Sequence, residues 1–134
     1  MMLMQPINDI LVVDDDAAVV DFVIAALREA GYLACATYDG ESALLAIELA
    51  RPALVLLDLH LPGLSGFDVV AQLHRHGLAH VPVILMTADA VAAEQRSSAF
   101  PVYLIKPFTL DTLLACVAYY VRPQRRQFGS TYYS

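Results

Sequence analysis

Four short apolar runs in this chain each stop at a polar residue suited to phosphate or metal chemistry. Ile10-Leu11-Val12-Val13 meets Asp14-Asp15-Asp16, and Ala53-Leu54-Val55-Leu56-Leu57 meets Asp58. Val83-Ile84-Leu85-Met86 meets Thr87, and Val102-Tyr103-Leu104-Ile105 meets Lys106, the sole lysine of the sequence. Runs of this length and composition are the pattern of parallel strands covered by helices on both faces. Parallel strands of one sheet end at a common edge, where open α/β sheets bind their ligands. Carboxylates, a hydroxyl and an ammonium are therefore expected to converge there.

A chain of 134 residues is one domain by size and long enough to bury a core. The hydrophobic fraction of 58% is high for a soluble protein, yet no stretch approaches membrane-spanning length. A sheet buried on both faces accounts for the excess. The start, Met1-Met2-Leu3-Met4-Gln5-Pro6, has no positive region and meets Asp9 early, so no signal peptide is expected. A net charge of −6 argues against nucleic-acid binding by this domain. Cys35 and Cys116 are isolated, without metal or redox spacing, and read as buried thiols in a reducing cytosol.

Strand and helix alternate along the chain. Strands are expected over residues 9–13, 33–37, 53–57, 81–86 and 102–105, with Pro82 tolerated only near a strand start. A first helix over 17–30 has Val20, Phe22, Val23, Ala26 and Leu27 as its apolar face, Asp16 as its cap and Gly31 as its stop. Further helices are expected over 40–50, over 67–76 behind Ser65, and over 110–121 behind Thr109, with helix-prone residues over 88–96. Leu110, Leu113, Leu114 and Val117 are the expected anchors of the last helix. Alternation at these lengths specifies a doubly wound, three-layer α/β/α sandwich. Periodicity leaves the strand order open. Residues 122–134 are polar, hold three of the seven arginines, and read as a solvated tail or linker stump.

The sequence resembles a receiver domain of two-component response regulators, of the chemotaxis-regulator kind, over residues 8–121. The resemblance rests on the acidic pair Asp14 and Asp15, on Asp58 followed by Pro62 and Gly66, on Thr87 before the small Ala88, and on Lys106-Pro107 with Tyr103 upstream. It implies a five-stranded parallel sheet in the flavodoxin-like order 2-1-3-4-5. It also implies that Asp58 accepts a phosphoryl group from a histidine kinase or histidine phosphotransfer protein. Asp15, Asp58 and the His60 backbone carbonyl would ligate Mg²⁺, Asp14 would orient a metal-bound water, and Lys106 and Thr87 would contact the phosphoryl oxygens. Thr87 and Tyr103 are the implied switch pair. By the same resemblance the His60 and Asp89 side chains would flank the hydrolytic water, and the Lys106-Pro107 bond is often cis in this family. A homodimer through the fourth helix, fifth strand and fifth helix is a further implication. The chain departs from the family between Thr87 and Tyr103, where it is short and carries Ser97-Ser98-Ala99-Phe100-Pro101.

The domain so read is a cytoplasmic signalling phosphoacceptor, with autophosphorylation and autodephosphorylation its only chemistry, and binds neither nucleic acid nor membrane. Two other classes share the sheet. A Mg²⁺-dependent phosphohydrolase would need an acid beside its nucleophile, where this chain has Leu59-His60. A flavodoxin-type flavin carrier would need a Ser, Thr and Gly-rich loop after the first strand, where this chain has acids. His74, His76 and His80 share no helix face and are expected to be bystanders.

Overall fold

The computed structural model describes residues 10–91 and 102–122. Their elements run β1 (Ile10–Val13), α1 (Ala17–Glu29), β2 (Ala34–Thr37), α2 (Gly40–Ala50), β3 (Leu54–Asp58), α3 (Gly66–Arg75), β4 (Val83–Thr87), β5 (Tyr103–Ile105) and α4 (Leu110–Tyr120). All strand pairs are parallel, in the order β2-β1-β3-β4-β5. This is the doubly wound sheet that the sequence predicts. Of the helix expected over 88–96, Ala90 and Val91 are helical and the remainder lies outside the described residues.

Side-chain alternation divides the core into two layers. Ile10, Val12, Leu54, Leu56, Ile84, Met86 and Leu104 face α1 and α4. Leu11, Val13, Val55, Leu57 and Leu85 face α2 and α3. Both faces of the sheet are thus dry, which is why its strands are continuous apolar runs.

Local chemistry sets the helix ends. Asp16 caps α1 through its side chain, which accepts from the Ala18 and Val19 amides, and Gly31 ends that turn at φ 101°. Ser65 and Asp68 form a reciprocal capping box on α3. Thr109 caps α4 by accepting from the Thr112 amide.

Four expectations need correction. Phe22 is 48% exposed, because it sits about 120° round α1 from the buried stripe of Val20, Val23 and Leu27. Leu110 is likewise exposed, as the first residue of α4, so Leu113 and Val117 carry the anchoring with Leu114 packed beside them. Helix α3 begins at Gly66 rather than Phe67, since the Ser65 cap fixes the next residue as the first helical one. Cys35 and Cys116 are half-buried rather than fully buried, and burial raises the pKa of both thiols.

Candidate functional site

The C-terminal edge of the sheet gathers the polar strand ends. Asp14 follows β1, Asp58 ends β3, Thr87 ends β4 and Lys106 follows β5. Asp14, Asp58 and Thr87 are the buried polar or charged residues of the described chain. Burying such groups is costly unless they are paired, so their partners define what the edge can do.

Lys106 reaches across from β5 and places Nζ 2.7 Å from Asp14 Oδ2 and 3.5 Å from Asp58 Oδ2. The other Asp14 oxygen accepts from the Asp16 amide at 2.9 Å. Asp58 Oδ1 accepts from the His60 amide at 3.1 Å, a tight local turn that fixes the carboxylate. Thr87 Oγ1 accepts from the Asp89 amide at 2.9 Å, leaving the hydroxyl proton for donation elsewhere. The Lys106 amide donates to the Thr87 carbonyl at 2.8 Å, tying the β4 and β5 ends together. The Lys106-Pro107 bond is cis.

Carboxylate oxygens of Asp14, Asp15 and Asp58 lie within 4.8 Å of one another. Opposite ligands of octahedral Mg²⁺ stand about 4.2 Å apart, so small side-chain adjustments would bring these hard oxygens into its shell. The donor set fits a hard divalent cation and offers no soft ligand.

The electrostatics agree with that fit. Burial raises the Asp58 pKa from 3.8 to about 6, and Asp14 adds to the rise, against the His60 amide and Lys106, which lower it. Burial pulls the Lys106 ammonium down, but Asp14 and Asp58 more than offset it and its net shift is upward. Lys106 therefore stays a cation at any working pH.

The structure brings together Asp14, Asp15, Asp58 and Lys106, with Thr87 at the adjoining strand end. The His60 side chain is exposed while its amide is engaged, and Asp89 is exposed just beyond Thr87. The Tyr103 ring packs against the α2–α3 core layer, and its hydroxyl oxygen is buried. His74, His76 and His80 are exposed. The Lys106–Asp14 pair was not legible in the sequence, because β1 and β5 are separated by two strands and only the sheet order shows the reach.

Residues 10–118 match the response regulator receiver domain family, and the chain belongs to it. It is 39% identical over 111 residues to the DNA-binding response regulator MtrA of Mycolicibacterium paratuberculosis, across 81% of this chain and 48% of that protein. It is 38% identical over 113 residues to the DNA-binding dual master transcriptional regulator RpaA of Synechocystis, across 81% of this chain and 46% of that one. The chain thus spans about half the length of these relatives. Among solved structures, the chemotaxis response regulator CheY4 of Vibrio cholerae matches at TM-score 0.78 and 26% identity, over 87% of this chain and all of that one. The receiver domain of sensor histidine kinase PA1611 from Pseudomonas aeruginosa, whose structure has a magnesium ion in the active-site cleft, matches at TM-score 0.77 and 27% identity, over 86% and 98%.

Proposed function

We propose that Asp58 is the phosphoacceptor of this receiver domain, taking a phosphoryl group from the phosphohistidine of a histidine kinase or histidine phosphotransfer protein. The observation that carries the reading is the convergence on Asp58 of one partly buried ammonium and two further carboxylates at a single sheet edge. An Asp58 oxygen attacks phosphorus as the bond to the donor imidazole breaks. The departing nitrogen keeps the electron pair and takes up a proton, and an aspartyl phosphate remains. Asp14, Asp15, Asp58 and the His60 carbonyl would hold Mg²⁺, which when bound neutralises the charge between carboxylate and phosphate.

The chain's own groups do the rest. The His60 amide orients one Asp58 oxygen, leaving the other for attack. Lys106 exchanges its Asp14 and Asp58 contacts for a phosphoryl oxygen, and Thr87 donates its hydroxyl proton to another. Thr87 thereby moves, and Tyr103 repacks beside it, shifting the population between two surfaces. Asp89 orients the water that later hydrolyses the acyl phosphate, opposite the His60 side chain.

The domain corresponds to residues 8–121, followed by a polar tail or linker stump over 122–134. No helix among the described residues is long and apolar enough to cross a membrane, which accords with a cytoplasmic partner of a kinase. MtrA and RpaA are named as DNA-binding. A chain of net charge −6 suits a regulator of such an output rather than the DNA contact itself. A homodimer through β5 and α4, with the helix expected over 88–96, would be the natural route for that regulation. The proposal is tested with purified protein, Mg²⁺ and acetyl phosphate: intact mass should show one phosphoryl adduct per chain, absent when the metal is chelated. Continuous turnover of acetyl phosphate with no accumulated adduct would instead indicate a hydrolase.

A further inference from the structure

The loop that joins β3 to α3, residues 59–65, is held at two points by glycines that are there for space. At its base the Gly66 amide donates to the Leu59 carbonyl at 2.8 Å. A Cβ on Gly66 would lie 2.7 Å from the Asp58 carbonyl and 2.9 Å from Leu59 Cα. The second point is on another element. Gly40, the buried first residue of α2, would with a Cβ stand 2.8 Å from Leu64 Cβ, 3.2 Å from the Leu64 carbonyl and 3.0 Å from Val69 Cγ2. Gly40 is not left-handed, and the first turn of a helix accepts alanine readily, so its backbone does not call for glycine. Its neighbours do. Two of the three are the backbone carbonyl and the Cβ of Leu64, which no change of rotamer can withdraw. An added methyl must push the loop or tilt α2 by several tenths of an ångström.

What the loop carries makes the displacement matter. It contains His60, whose amide holds Asp58 Oδ1 and whose carbonyl is the expected third oxygen for the metal. Leu61 and Leu64 pack on the α2–α3 core layer, so the loop moves with its apolar anchors. We propose that Gly40 is a positioning residue for phosphoryl transfer: by lacking a side chain it seats Leu64, and through Leu64 it sets the register of the His60 backbone against Asp58. This rests on the reading of Asp58 as phosphoacceptor.

The test is Gly40→Ala, compared with Ile47→Val as a destabilising change about two turns further along the same helix. In metal-free protein, the His60 amide resonance should shift in Gly40→Ala and stay in place in Ile47→Val. The rate of phosphorylation by acetyl phosphate at saturating Mg²⁺ should fall roughly tenfold in Gly40→Ala alone, since small misplacements of reacting groups cost this much. Adding Leu64→Gly to Gly40→Ala removes the closest contact and should recover most of the rate. In the wild-type background, Leu64→Gly should slow the reaction more than Leu64→Ala, which keeps the seated Cβ; this pair reads the same contact should Gly40→Ala fail to fold. An unshifted His60 amide with wild-type rate in Gly40→Ala would overturn the proposal, as would an equal slowing in Ile47→Val. Because the amide shift is read without metal or phosphoryl donor, it stands apart from the question of whether Asp58 is labelled.

Discussion

Lys106 Nζ lies nearer to Asp14 Oδ2, at 2.7 Å, than to the Asp58 oxygen at 3.5 Å. The ammonium is held chiefly by a carboxylate that has no solvent exposure. Removing one partner of such a pair leaves the other charged, buried and unpaired. Lys106→Met should therefore destabilise the metal-free protein by about 2–4 kcal/mol in urea unfolding. The double variant with Asp14→Asn should cost less than the sum of the two single changes. Additive losses would mean that the pair does not hold this edge together.

The raised Asp58 pKa has a consequence for stability with a definite sign. Near pH 4 the unfolded chain begins to ionise at this position, while the folded chain keeps its proton up to about 6. The stability this group contributes is full below the unfolded value and is lost as pH rises through the folded one. Asp58→Asn lacks the effect. In metal-free buffer its stability advantage over wild type should grow between pH 4 and pH 7.5, by on the order of 2 kcal/mol. Chemical denaturation at the two pH values measures it. A constant difference would show that Asp58 is not held in a costly environment.

A buried link ties the two ends of one face. The Tyr32 hydroxyl donates to the Val121 carbonyl at 2.8 Å, joining the segment after α1 to the cap of α4. Tyr32→Phe keeps the ring and orphans that carbonyl, so unfolding free energy should fall by about 1–2 kcal/mol. Labelling at the acidic edge should be unchanged. A loss under about 0.5 kcal/mol would indicate that water replaces the hydroxyl.

Much of the fold could be read from the residues, and the reasons are local. Asp39 and Gly40 at one end and Pro52 beyond the other make α2 legible as 40–50, and the Ser65 and Thr109 caps mark where α3 and α4 begin. The polar residues at strand ends are legible because a dry sheet expels them from every other position. Phe22 misleads because an apolar ring next to an apolar stripe carries no sign of which side it faces. The role of Gly40 is invisible for a different reason: nothing in Asp39-Gly40-Glu41 shows that Leu64, from a loop after the next strand, lands on it. The Lys106–Asp14 and Tyr32–Val121 contacts likewise depend on sheet order and closure rather than on spacing. The segment between Thr87 and Tyr103, where the chain departs from the family, lies mostly outside the described residues.

Phosphoryl lifetime should report on the residue just beyond Thr87. Asp89 is exposed, and its amide is already fixed by the Thr87 hydroxyl. With Asp89→Ala the phosphorylated protein should decay several-fold more slowly than wild type, through loss of a group that orients water. Decay is followed by intact mass after the donor is removed. An unchanged or faster decay would separate Asp89 from the hydrolytic step.

The central claim is that the phosphoryl group sits on the Asp58 side chain. Acyl phosphates are reduced by borohydride to the alcohol, so trapping the phosphorylated protein and mapping its peptides locates the modification directly. Homoserine is expected at position 58 in wild type treated with acetyl phosphate and Mg²⁺, and none in Asp58→Asn. Reduction at Asp14, at Asp15 or at no aspartate, with label retained in Asp58→Asn, would contradict it.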